Sequence, residues 1–322
     1  MSYVPLWVKS NFSFLICASH PSELVERAHE LGLPAVALTD RDGVHGIVQA
    51  HVAAREVGIR FLVGSEVTVG RLDASGAPAK GDTSRVVLLA TTREGYGNLC
   101  RLISKGRLRS EKGSSTVSTE EVRGAAPGLL ALCPDPPLLP ELADAYERRL
   151  YALCARNRHF DSEPVEERVR LEAKRVGVPT VATNEVLYHT SARAPLQDVL
   201  TCIRHGTTLA AAGRLLCPNA EHGLVSPHAM RELFVDDPLS LARTREVADR
   251  CTFSLSEIRY RYPAVVRPEG MSERDWLREL TYRGAKERYG DALPLGVRRQ
   301  IERELGLIHE LDYGGYFLTM YE

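Results

Sequence analysis

Short apolar runs alternate with helix-patterned segments through the first ~190 residues, and this alternation restricts the possible folds more than anything else in the chain. The run LWVK (6–9) reads as a strand and leads through the polar-aromatic loop SNFSF to the helix PSELVERAHELG. Pro21 suits that helix's first turn and Gly32 its C-terminal cap. AVALTD (35–40) follows, ending in Asp40, then the helix GIVQAHVAAREVG (46–58) and the long strand run IRFLVGSEVTVG (59–70), which passes through Glu66. VVLLATT (86–92), LLALC (129–133), RRLYALC (148–154) and VPTVATN (178–184) are further strands; GYGNLCRLISKG and EERVRLEAKRVGV are helices between them. Seven strand candidates predict a parallel sheet or barrel. A closed barrel suits that number better than a small open sheet, but periodicity alone leaves both open. Two segments read as loose: RLDASGAPAKGDTSR (71–85) and GRLRSEKGSSTVST (106–119).

The pattern changes near residue 190. APLQDVLTCIRHG, SPHAMRELF and PLSLARTREVADRC read as helices, SLSEIRYRYP (254–263) alternates like a strand, and 272–312 reads as two long helices. The chain closes on DYGGYFLTMYE without a polar tail, which suggests an element cut short and a fragment of a longer protein.

Composition narrows the function classes. A net charge of −1 supplies no global field to steer the chain onto nucleic acid, although a local basic surface stays open. The opening MSYVPLWVKSNF has neither the basic start nor the apolar stretch of a signal peptide. No apolar run approaches the roughly 20 residues of a membrane span. Seven scattered cysteines, an odd number without a CxxC, read as reduced thiols that fill the core. The expected location is cytoplasmic, with no membrane partner.

In parallel barrels, functional side chains sit at the C-terminal ends of strands. Those positions hold Trp7 and Lys9, then Asp40–Arg41–Asp42, then Glu66, then Asn184–Glu185 with Tyr188 and His189 close behind. Three carboxylates at successive strand ends suit a hard divalent cation such as Mg²⁺ or Mn²⁺. Each also has a plainer reading. Asp40 can cap the turn before Gly43, and the D-x-D of Asp40 and Asp42 is weak as a nucleotidyl-transfer signature because Asp-Gly is an ordinary turn dipeptide. Glu66 interrupts an apolar strand and needs a buried partner or a site. His29, His45 and His51 fall on or beside helices as surface or packing residues; His159 is the histidine retained as a ligand candidate. Walker-type, dinucleotide-binding, G-x-S-x-G and H-E-x-x-H motifs do not occur, and GYGNL lacks the lysine and spacing of a phosphate loop.

Taken together, the segment from SNFSFLICASHP to VGSEV resembles the opening of the bacterial C-family DNA polymerases, the polymerase III alpha subunit type, and is most similar to the error-prone polymerases. EGYGNLCRLIS, VPTVATNEVLYH, LQDVLTCIRHGTTL and ERELGLIHELDYGGYFLTMYE continue the resemblance in order, over essentially the whole chain. It implies an α/β fold: a PHP domain over 1–250, built as a distorted (β/α)₇ TIM-like barrel, then a mostly helical segment, 251–322, leading into the polymerase palm. A metal-competent PHP site resembles an H-x-H after the first strand, an Asp-His after the second, a Glu after the third, mid-domain histidines and a late D-x-H. Here those positions hold Trp7 and Lys9, Asp40 and Arg41, Glu66, and Glu185 and Leu187. The resemblance therefore implies a vestigial metal site, with Asp40, Glu66, Glu185 and His159 as the only residual ligand candidates. Lys9 and Arg41 are expected to neutralise Asp40, Glu66 and Glu185 as fixed cations. No catalytic residue and no bound cofactor is expected in this portion.

The parent enzyme implied is a DNA-directed DNA polymerase, a nucleotidyltransferase of DNA-damage synthesis. It would use DNA, deoxynucleoside triphosphates and Mg²⁺, with the rest of the polymerase chain and replication or repair proteins as partners of the barrel. Two alternatives stand beside the scaffold reading. One is a PHP metal-dependent phosphoesterase or 3′–5′ exonuclease with a reduced ligand set; the other is a stand-alone interaction module.

Overall fold

The computed structural model describes residues 2–159, 162–258 and 268–321. The chain divides into two compact units, Met1–Glu257 and Ile258–Glu322. In the first, six strands form one curled sheet in sequence order: β1 Ala35–Leu38, β2 Arg60–Val69, β3 Ser84–Ala90, β4 Leu129–Cys133, β5 Leu150–Ala155 and β6 Thr180–Thr183. β1–β2, β4–β5 and β5–β6 pair in parallel, whereas β2–β3 and β3–β4 are antiparallel. The wholly parallel sheet expected from the alternation is therefore corrected to a mixed one. Residues 71–83 form no helix, so the chain folds straight back on β2 without the helical crossover a parallel partner needs.

The expected first strand, 6–9, is likewise corrected. Only Val8 makes a strand-type bridge, to Val186. The segment still joins the two edges of the curled sheet. On one side Ala37 N donates to Pro5 O and Thr39 N to Val8 O; on the other Val186 N donates to Trp7 O and Lys9 N to Val186 O. It fails to become a regular strand because Pro5 has no amide proton and the Val8 amide donates to the Thr39 hydroxyl (2.9 Å) instead of a backbone carbonyl.

Strand alternation places one set of side chains in the barrel lumen and the other beneath the outer helices. Ala35, Ala37, Leu62, Val87, Leu89, Leu130, Leu132, Tyr151, Leu153 and Val181 line the lumen with Leu6 and Trp7. Their neighbours Val36, Leu38, Val86, Leu88, Leu129, Ala131, Ala152 and Ala182 pack outward, against helix residues such as Leu24, Ala28, Ala50 and Leu99. Both faces are buried, which is why the strands read as continuous apolar runs. Val247, Ala248 and Cys251, from the helix Pro238–Arg250 and its end, join the lumen cluster, and Arg60 fixes that end through the Ala248 and Cys251 carbonyls. All seven cysteines are free thiols.

The helices largely follow their sequence signals. Pro21–Glu30 opens with Pro21, and the Glu23 carboxylate accepts from the His20 amide at 2.8 Å. Ile47–Val57 stops at Gly58, whose φ of 74° suits a residue without a Cβ. Leu138–Tyr146 is a helix that the sequence reading did not anticipate. In the second unit Glu273–Tyr289 and Leu295–Glu310 are the two long helices, followed by Gly314–Tyr321. The strand expected over 254–263 is corrected for its first part, since Leu255–Glu257 form a 3-10 turn; 259–263 lie outside the described residues.

Candidate functional site

Trp7 and Lys9 are two residues apart on the closing segment, so both project to one side, towards Glu66 of β2. Burial of Glu66 is matched by donors: Trp7 Nε1–H (2.7 Å) and Lys9 Nζ (2.8 Å) both reach its Oε2. Lys9 Nζ also donates to Glu185 Oε1 at 2.7 Å. The Arg85 Nη1 lies 3.3 Å from the same Glu185 oxygen. Lys9 and Arg85 both stand within cation–π reach of the Trp7 ring, at 4.8 and 5.1 Å from its centroid. Glu185 has a φ of 49°, unusual for a side-chain-bearing residue. The turn it makes precedes Val186, whose backbone is fixed to Trp7 and Lys9, and the Glu185 carbonyl accepts from His222 Nδ1 at 2.8 Å. Because Asn157 Nδ2 approaches His222 Nε2 at 3.1 Å, the network assigns the proton to Nδ1.

The charges sustain one another. Burial works against the Lys9 ammonium, but Glu185 and Glu66 outweigh it and hold its pKa above the ordinary value. Burial likewise opposes ionised Glu185, yet Lys9 and Arg85 bring its pKa down to about 2. Asp135, after β4, accepts from the Arg85 amide at 2.6 Å; burial raises its pKa despite that cation.

Asp40 and Arg41 depart from expectation. Asp40 pairs with neither Lys9 nor Arg41. Its carboxylate accepts from the Ser10 amide (2.6 Å), the Ser10 hydroxyl (2.8 Å) and the Ser13 hydroxyl (2.7 Å), anchoring the SNFS loop. Hydroxyl and amide donors satisfy the acceptor without a cation, and burial leaves its pKa raised. Arg41 sits at the rim, its Nε 3.8 Å from Glu66 Oε1 and 3.7 Å from Asp42 Oδ2, with a 3.3 Å bond to the Thr68 hydroxyl. Leu187 turns into a separate apolar cluster with Cys17, Ala18 and Tyr188. His159 lines a cavity of about 190 Å³ together with Trp7, Arg85, Asp135 and Glu185. Arg85, Asp135 and His222 were missed in the sequence. Arg85 lies in a stretch that reads as loose, and the other two carry no motif.

The residues present do not fit a metal centre. Trp7 Nε1–H and the Lys9 ammonium are donors without a lone pair to offer, Arg41 stays protonated, and Leu187 has no ligand atom. Glu66 Oε2, Glu185 Oε1 and both Asp40 oxygens already accept from protein donors. Among the described residues no three His, Cys, Asp or Glu side chains converge as metal ligands would.

Comparison with known proteins adds the following. Residues 6–162 match the PHP domain, and residues 275–322 match the family described as the bacterial DNA polymerase III alpha NTPase domain. An error-prone DNA polymerase of Anaeromyxobacter dehalogenans (strain 2CP-C) is 37% identical over 406 aligned positions, covering 99% of this chain and 35% of that protein. One from Dechloromonas aromatica (strain RCB) is 40% identical over 333 positions, covering 99% of this chain and 31% of that protein. The chain thus spans about a third of the length of the curated relatives it matches. Among solved structures, an amidohydrolase from Chromobacterium violaceum aligns with a TM-score of 0.44 at 18% identity, over 58% of this chain and 88% of its own.

Proposed function

The first half of the chain carries a PHP domain and the chain as a whole is a homologue of the error-prone DNA polymerases; from that premise we propose that it is the PHP-bearing portion of such a polymerase, in which fixed cations have replaced metal ions and the barrel serves as a scaffold. The observation that carries this reading is the position of the Lys9 ammonium, 2.8 Å from Glu66 and 2.7 Å from Glu185. A positive charge bonded to both carboxylates supplies the counter-charge a divalent ion would bring, without an open coordination position for water or substrate. This portion then performs no hydrolysis and no nucleotidyl transfer. Residues 1–250 form the PHP domain and 251–322 the approach to the palm. DNA, deoxynucleoside triphosphates and Mg²⁺ belong to the parent polymerase, acting in the cytoplasm in DNA-damage synthesis, with replication or repair proteins docking on the barrel.

A second reading, a phosphoesterase or exonuclease with a reduced ligand set, draws on His159, Asp135 and Glu185 lining one cavity. Elemental analysis decides between them. After exposure to Mn²⁺ and Zn²⁺ and desalting, the scaffold reading expects well under one equivalent of metal and no thermal shift on adding it. One equivalent or more, lost in Glu185→Ala, Asp135→Ala or Glu66→Ala, would overturn it.

A further inference from the structure

A cavity of about 480 Å³ opens beside the rim of the ion cluster, between the loop 12–16 and the turn 113–116. Its charged lining is Arg41, Arg107 and Arg204 against a single carboxylate, Asp42. That carboxylate is already occupied, accepting from the Thr68 amide and hydroxyl at 2.7 Å each. Arg107 is held in place by its Nε–H bond to the Asp42 carbonyl (2.9 Å), which leaves the rest of its guanidinium free to face a ligand. Arg204 stands on the last turn of the helix Ala194–His205. Among the described residues neither Arg107 nor Arg204 forms an ion pair. Three arginines share one lining carboxylate, which Arg41 approaches at 3.7 Å, and the crowding registers on Arg204: partial burial and the charge of Arg41 both lower its pKa. Thr83, Ser114 and Ser115 add hydroxyls to the same walls.

We propose that this cavity binds a phosphate group through Arg41, Arg107 and Arg204. Guanidinium forks match phosphate oxygens in geometry and charge, and the volume exceeds what one isolated phosphate fills. The group can come from a free polyphosphate or from the backbone of a single-stranded nucleic acid. Phe14 separates the two sources. It lines the cavity, is 79% exposed and sits next to Leu15, whose left-handed φ of 58° belongs to the loop that presents it. A ring so placed offers a stacking face to a base but nothing to an inorganic anion. Of the three arginines Arg41 is the one that also approaches the Lys9 cluster, 3.8 Å from Glu66 Oε1, so the test turns on Arg204 and Phe14.

The test uses the 322-residue chain with two probes: tripolyphosphate by calorimetry, and a fluorescein-labelled oligo(dT) strand of about twelve nucleotides by anisotropy across a salt series. Binding of at least one probe is expected, weakened about tenfold by Arg204→Gln. Among the described residues the Arg204 side chain enters no hydrogen bond or ion pair, so the variant should melt like the parent protein. For the strand, three phosphate contacts give log K against log salt a slope of about −2, reduced to roughly −1.4 in Arg204→Gln. Phe14→Ala weakening the strand about tenfold with its slope unchanged, and sparing tripolyphosphate, assigns the site to a nucleic-acid strand. Tripolyphosphate binding without strand binding assigns it to a free polyphosphate. If neither probe binds, or if Arg204→Gln binds both as the parent does with the same salt dependence, the proposal is wrong.

Discussion

Lys9 is the residue on which the site turns. Its side chain is buried between two carboxylates and an aromatic face, so removing the ammonium leaves Glu66 with only the rim Arg41, 3.8 Å away, as a counter-charge. Breaking a buried pair from one side costs far more than the pair itself contributes. Lys9→Met should therefore lower the unfolding free energy by about 3–5 kcal/mol in urea titrations. Adding Glu66→Gln should restore part of the loss, because the neutral amide can still accept from Trp7. Glu185 sets the acid limb of stability. Its folded pKa lies near 2 against an ordinary 4.5, so its contribution is complete above pH 4.5 and is lost as pH falls towards 2. Asp40 and Asp42 act in the opposite sense, since burial raises both and their protonation favours the fold as pH drops. Urea midpoints across this range should fall less steeply for Glu185→Gln than for the parent protein.

At the scale of elements, close backbone approaches govern what can change. The segment GYGNL, which lacks the lysine and spacing of a phosphate loop, lies in the first turns of the helix Arg93–Arg109, with Thr92 capping it through the Gly95 amide. Gly95 lies against the Gly128 backbone just before β4, where a Cβ would come within 1.7 Å of the Gly128 carbonyl oxygen. Two residues on, a Cβ at Gly97 would meet only the end of the Arg101 side chain, at 3.8 Å. Gly95→Ala should thus cost about 1–3 kcal/mol or more, because one of the two backbones must move. Gly97→Ala should be neutral or gain up to ~1 kcal/mol from helix propensity. Thermal melts of the two variants give the comparison directly, and equal effects would mean that the glycine pair is not the packing constraint described.

Across the whole molecule, the hydrogen-bonded circuit from residues 5–9 through six strands to Val186 lies inside Met1–Glu257, as do both large apolar clusters. A chain ending at residue 257 should consequently unfold cooperatively on its own in urea; a broad, non-cooperative transition would refute that. The strand–helix alternation, most helices and the strand segments leading to Asp40, Glu66 and Glu185 could be read from the sequence, because burial on both strand faces leaves unbroken apolar runs and caps mark helix ends locally; the barrel itself rested on the family resemblance. The antiparallel turn at β3, the reduction of residues 6–9 to a single bridge and the helix at 138–146 could not. Strand direction depends on where a connection lands, and a bridge depends on which partner wins a given amide. The same division holds in the site. Residue type alone determined that Trp7, Lys9, Arg41 and Leu187 cannot ligate a metal. Tertiary structure decided which anion each cation meets: Lys9 takes Glu66 and Glu185, Asp40 goes to two serines, Arg85 enters from a stretch without pattern, and Arg41 is left at the rim with Arg107 and Arg204. In this site ion pairing acts over a few ångströms between residues as far as 176 positions apart in the chain, Lys9 and Glu185, and no local periodicity encodes such a distance.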